Sequence, residues 1–95
     1  MLENIKLIGI DDDFIDEMID TIGYDMVLDL ASNYELVEAN AKYLKSLSLN
    51  IKMLLLNRPE IFLKETEKLQ LKFNKSNINQ IIELINEDYT IIDEL

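Results

Sequence analysis

The sequence predicts an all-α fold: a compact stack of about six or seven short helices, forming one small helical-repeat, α-solenoid-like domain over residues 1–95. Three observations carry that prediction. Apolar residues recur at intervals of three and four, the spacing of a helix face, rather than the two of a strand. Only two glycines and one proline punctuate the 95 residues, which leaves little turn chemistry for hairpins. Three short stretches, "IGYDMV" at 22–27, "NRPEIF" at 57–62 and "EDYTII" at 87–92, echo one another.

The elements follow in order. Phe14, Ile15, Met18, Ile19 and Ile22 mark one apolar face, with Asp11 or Asp12 placed to cap its start and Gly23 to end it. A short helix over 24–31 comes next. Ser32 and Glu35 have the spacing of a capping box for a longer helix whose inner face carries Leu36, Val37, Ala41, Leu44 and Leu47. Asn50 is placed to cap a short helix at 51–56. Pro59 suits the first turn of the following helix, where its missing N–H is not needed; Phe62, Thr66, Leu69 and Phe73 line that helix's buried side. Ser76 is placed to cap a helix carrying Ile78, Ile81, Ile82 and Ile85, and Asp88 to cap a final turn or two through Ile91 and Ile92. No low-complexity segment or flexible linker interrupts the series.

The echoes place Tyr24, Pro59 and Tyr89 at equivalent helix starts, 35 and 30 residues apart, within the period range of helical solenoids. Each unit reads as a helix end, a tight turn, a short helix and a new helix opening on two apolar residues. Such a unit buries its apolar face only by stacking on neighbours. "LKSLSLNIKMLLLNRPEIFL" at 44–63 resembles the repeats of the mitochondrial transcription termination factor (mTERF) family: leucine, turn, short helix, then a proline followed by two apolar residues. "LQLKFNKSNINQIIELINEDYTII" at 69–92 is similar, with Tyr89 where the proline belongs. The resemblance implies a superhelix that binds nucleic acid through a basic face, with architectural prolines. Tyr24 and Tyr89 depart from that pattern, and the net charge of −10 has the opposite sign.

Charge is unevenly distributed. Residues 1–40 hold eleven acids against Lys6 alone, a balance of −10. Residues 41–75 hold eight basic side chains against three acids, +5, and the last twenty residues hold five acids and no base. The field is dipolar rather than uniformly acidic. Two stripes stand out at helical spacing. Asp13, Asp16, Glu17 and Asp20, continued by Asp25 and Asp29, form an acidic face suited to a basic partner. Lys64, Lys68, Lys72 and Lys75 follow i, i+4, i+8, i+11 and as one helix face would form a phosphate-tracking ridge. The competing reading of the ridge is a solvated face in which Glu60 pairs with Lys64 and Glu65 with Lys68.

The chain has no cysteine and no histidine, which removes disulfides, thiolate nucleophiles, Cys/His zinc sites and any histidine base. "DDDFIDEMIDTI" is not an EF-hand loop, because Asp16 occupies the glycine position and Ile22 the bidentate glutamate position. Ser48 with Lys52 is the one notable nucleophile pairing, with Asn50 between them as a helix cap. There is no glycine-rich phosphate loop and no Rossmann or hydrolase signature. No catalytic residue, metal site or cofactor is expected. The start lacks a signal-peptide pattern, the longest apolar run, "MLLL" at 53–56, is too short for a membrane span, and the terminal "IDEL" lacks the basic residue of an ER-retrieval signal. A soluble, cytoplasmic protein without membrane contact is the expectation. The sequence thus points to a non-enzymatic interaction or regulatory module. It would bind a basic protein surface through its acidic N-terminal helices, with an inhibitor mimicking nucleic acid as a narrower variant. Nucleic-acid binding through the 60–75 lysines is the alternative, and pairing of acidic and basic faces leaves a homo-oligomer open.

Overall fold

A computed structural model of the protein describes residues 2–95, apart from the side chains of residues 7 and 8. A 3-10 segment at Leu2–Ile8 leads into α1 (Asp12–Ile22), α2 (Tyr24–Ser32), α3 (Tyr34–Ser46) and α4 (Ile51–Asn57). A second 3-10 segment at Pro59–Leu63 precedes α5 (Thr66–Lys72) and α6 (Ile78–Glu87), and a third, Tyr89–Glu94, closes the chain. No strand occurs among the described residues. The all-α prediction holds.

Local chemistry explains most boundaries. Asp11 caps α1, its Oδ1 accepting from the Phe14 N–H at 2.9 Å, and Asn50 caps α4 by accepting from the Met53 N–H at 3.1 Å. At Gly23 the backbone lies at φ 92°, ψ 154°, a region open in practice only to glycine. That residue therefore lets α2 leave α1 after a single intervening position. Between α3 and α4, Ser48 takes the left-handed conformation (φ 68°) usually given to glycine. Its N–H donates to the Lys45 carbonyl and the Leu49 N–H to the Leu44 carbonyl, which together form a Schellman closure.

The three echoes share one closing hydrogen bond, which the Asn33 joint between α2 and α3 also makes. The N–H of Gly23 donates to the Ile19 carbonyl, that of Arg58 to Leu54 and that of Asp88 to Leu84. Each closes one helix and is followed at once by the next, opening at Tyr24, Pro59 and Tyr89. Arg58 (φ −142°, ψ 61°) and Asp88 (φ −149°, ψ 101°) have similar backbones, and 3-10 turns follow both. The Gly23 joint differs in conformation and opens an α-helix.

Three sequence expectations need correction. Ser32 does not form a capping box with Glu35. It lies in the last turn of α2, its hydroxyl donating back to the Leu28 carbonyl at 2.8 Å, and the joint falls one residue later at Asn33. Ser76 does not cap α6, which starts after Asn77. The helix expected from Pro59 to about residue 73 is broken in two. Lys64 and Glu65 are extended (φ −75°, ψ 151° and φ −57°, ψ 135°) and separate the 3-10 segment from α5.

The cause of that break is tertiary. Asn40, fully buried on α3, donates from Nδ2 to the carbonyls of Phe62 at 2.9 Å and Lys64 at 2.7 Å. Its Oδ1 accepts from the Thr66 hydroxyl at 2.8 Å. In an uninterrupted helix those carbonyls would accept from N–H groups four residues on. Here one carboxamide satisfies them, and no buried side-chain polar atom is left without a partner among the described residues.

Packing runs along the chain. α2 lies against α1 and the N-terminal 3-10 segment; α3 spans that segment, the Pro59–Leu63 segment and α5; α4 meets α1 and the C-terminal 3-10 segment. The body is elongated, 39 × 24 × 19 Å. One apolar core threads it, from Ile5, Phe14 and Met18 through Val27, Leu30, Leu44 and Phe62 to Ile85 and Ile92. No helix among the described residues is long and apolar enough to cross a membrane.

Candidate functional site

On α1, Asp13, Asp16, Glu17 and Asp20 are all exposed and lie at i, i+3, i+4 and i+7, one face of the helix. The opposite face buries Phe14, Ile15 and Met18. On α2, Asp25 and Asp29 are exposed at i, i+4, away from buried Val27, Leu30 and Ala31. The structure therefore puts all six predicted acidic residues in solvent, on two helices packed against one another. None of the six carboxylates has an ion-pair or hydrogen-bond partner among the described residues. The ion pairs lie elsewhere: Lys6 with Asp12 at 2.8 Å, Lys42 with Glu38 at 3.3 Å and Arg58 with Asp93 at 3.0 Å.

The four lysines of the expected ridge do not share a helix. Lys64 sits in the extended break, Lys68 and Lys72 lie on α5, and Lys75 lies in the turn after it. Lys72 is half-buried and donates to the main-chain oxygen of Leu95 at 3.3 Å. The Glu60–Lys64 and Glu65–Lys68 pairs of the competing reading do not form either. Ser48 and Lys52 are likewise not aimed at each other: Ser48 is the left-handed residue of its turn, while the Lys52 ammonium lies 5.4 Å from the centroid of the Phe14 ring. Among the described residues no group of three or more acidic, Cys or His side chains is placed to hold a metal ion.

Sequence reasoning missed the long-range polar ties. Arg58 makes a fork to Asp93: Nε donates to both carboxylate oxygens at 3.0 Å, and Nη2 lies 3.0 Å from Oδ2. This bidentate bond raises the guanidinium pKa above its ordinary value. The Asn86 amide donates to the Ser48 carbonyl at 3.0 Å, and its Oδ1 accepts from the Asn50 N–H at 3.2 Å. That carboxamide holds the strained Ser48 turn against α6. No local pattern marks partners 35 to 38 positions apart.

Asp88, at the joint before the last 3-10 segment, accepts from the Thr90 hydroxyl at 2.6 Å and the Thr90 N–H at 3.1 Å. These bonds favour the carboxylate and lower its pKa below the usual aspartate value. A lowered folded-state pKa means the ionised cap stabilises the fold above the unfolded value, about 3.9, and the contribution is lost as pH falls through the folded value. NMR titration of the Asp88 carboxyl is expected to give a midpoint below that of a free aspartate, and Thr90→Val to move it up. A midpoint that does not respond to Thr90→Val would show that the cap does not set it.

No protein-family model, curated protein or solved structure matches the chain.

Proposed function

We propose that this protein is a non-enzymatic interaction module that engages a basic protein surface through the acidic face of α1 and α2. The observation that carries the reading is the set of six exposed carboxylates left without any cation, in a protein that has nine basic side chains to spend elsewhere. Asp13 with Asp16 and Glu17, Asp20 with Asp16 and Glu17, and Asp25 with Asp29 all stand at i+3 or i+4. Like charges at that spacing work against their own helix. The macrodipole offsets this only in the first turns, at Asp13 of α1 and Asp25 of α2. A cationic partner relieves the remainder, so the free protein is electrostatically prepared for one. Mimicry of nucleic acid, with the partner's nucleic-acid groove as the target, is the narrower form of the same proposal.

The matching joints at Arg58 and Asp88 support reading the scaffold as a short helical-repeat stack of the mTERF kind, with Tyr24, Pro59 and Tyr89 as unit starts. They bear on architecture and leave the charge argument independent.

The test is capture from cell extract with the 95-residue chain as bait, against the triple reversal Asp13→Lys/Asp16→Lys/Asp20→Lys. The expected result is a basic partner that elutes with salt and is lost in the triple variant, whose fold is checked by circular dichroism. Capture that survives the reversal would sink the reading. Fluorescence anisotropy with single- and double-stranded nucleic acid covers the alternative. Binding that weakens with salt and collapses in Lys68→Glu/Lys72→Glu would move the function to the lysine side.

A further inference from the structure

A groove of about 510 Å³ opens where the turn before α1 meets α3 and the start of α4. Its walls are aliphatic: the outer edges of the buried core residues Ile10, Ala41 and Leu49, with half-buried Ile51 beside them. Three of the nine cations in the chain, Lys42, Lys45 and Lys52, line it, and Glu38 is the one acid among its lining residues. Glu38 is neutralised by Lys42 at 3.3 Å. The groove thus carries a balance of +2 inside a chain of net charge −10.

The two remaining ammonium groups have no carboxylate partner among the described residues. Lys52 is held over the Phe14 ring at 5.4 Å, so its stem lies along the apolar surface. The Asn50 carboxamide spends its oxygen on capping α4, leaving its amide nitrogen as a further donor at the groove.

We propose that this groove binds a single-chain aliphatic organic anion, its charged head held by Lys45 and Lys52 and its chain laid on the four aliphatic walls. The volume lies in the small-molecule range, as does that of a groove beside Tyr43 and Phe73, and the lysines are what set this groove apart. No aromatic side chain lines it, which removes the stacking platform a nucleobase needs. A second copy of the chain would bring its own charge of −10 against this one, whereas a monoanion brings a single charge. This inference does not depend on the acidic-face reading.

The experiment is an NMR amide-shift titration of the full chain with decanoate below its critical micelle concentration, at physiological salt. Decyl phosphate, decanol and inorganic phosphate are titrated in parallel. The expected result is saturable binding of both decyl anions, with shifts concentrated at residues 41, 49 and 51, decanol binding more weakly and phosphate alone more weakly still. Lys45→Gln/Lys52→Gln is expected to weaken decanoate binding about tenfold, the scale of two exposed charge pairs, and Lys68→Gln/Lys75→Gln to leave it unchanged. Lys45→Gln alone, which leaves the Phe14 contact intact, is expected to give part of that loss. Shifts spread over the whole core, equal binding of decanol, or an unchanged double variant would each overturn the proposal. So would displacement of decanoate by an oligonucleotide but not by decyl phosphate, which would assign the groove to nucleic acid.

Discussion

Replacing Asn40 with Leu is expected to destabilise the protein by about 3 kcal/mol, although the new side chain is apolar, of similar size and enters a fully buried position. The substitution removes one carboxamide but orphans three groups: the buried carbonyl of Phe62, and the part-buried carbonyl of Lys64 and hydroxyl of Thr66. A buried polar group left unsatisfied costs about 1–3 kcal/mol, and the backbone carbonyls cannot be deleted to compensate. The loss should centre on residues 62–69, where hydrogen exchange is expected to accelerate before the rest of the core. Thr66→Val alone removes one hydrogen bond, and combined with Asn40→Leu it should add little, because the partners already lack each other. Chemical denaturation of the three variants checks this. A loss for Asn40→Leu within about 0.5 kcal/mol of zero, the range of ordinary surface changes, would mean that the extended break does not depend on Asn40.

Phe62→Ala is expected to cost more, about 3–5 kcal/mol, the range for removing a buried aromatic ring from a core. Phe62 is the largest side chain with no exposed surface, and its position is fixed from both sides. Pro59 opens its 3-10 segment and Asn40 holds its carbonyl. The surroundings therefore have little freedom to collapse into the space left behind, which puts the cost toward the upper part of the range. With roughly 4–8 °C of melting temperature per kcal/mol in a domain of this size, the midpoint should fall by about 15 °C or more. Leu71→Ala is the control: Leu71 is also on the α5 side but 68% exposed, and its loss should stay within about 0.5 kcal/mol. Equal melting temperatures for the two variants would show that Phe62 is not the packing anchor described here.

The acidic face was legible in the sequence because it needs only helical spacing. Once Phe14, Ile15 and Met18 fix which side of α1 is inside, Asp13, Asp16, Glu17 and Asp20 must lie outside. The lysine ridge had the same spacing and failed, because its register assumed one helix across residues 59–75. Spacing reports a face only while the helix continues, and nothing in the run from Glu60 to Lys75 marks Lys64 and Glu65 as a break. The signal lies on another element, at Asn40, a polar residue among the apolar positions of α3. Ser32 failed for a related reason: its hydroxyl was equally able to bond back within α2, and that bond competes with capping. The basic groove was not legible at all. Lys42 and Lys45 stand at i, i+3 on α3, but Lys52 is on α4, and only the folding of the turn before α1 onto α3 and α4 brings the three around one cavity.

By itself the sequence determined what local chemistry governs. It set the all-α class, the start of α1 at Asp11 or Asp12, the end of α1 at Gly23, the cap of α4 at Asn50, the helical starts at Pro59 and after Asp88, and the exposure of the six acids. Each follows from residues within about one helical turn, where the backbone's own hydrogen bonds and a single apolar stripe decide the outcome. The tertiary structure alone decided where the Pro59 helix stops and which distant polar groups pair. Asn40 reaches Phe62 and Lys64, Arg58 reaches Asp93, and Asn86 reaches Ser48 across 22 to 38 positions of chain. Contacts of that separation form only after loops have closed, and a carboxamide or guanidinium carries no mark in the sequence of the carbonyl or carboxylate it will meet.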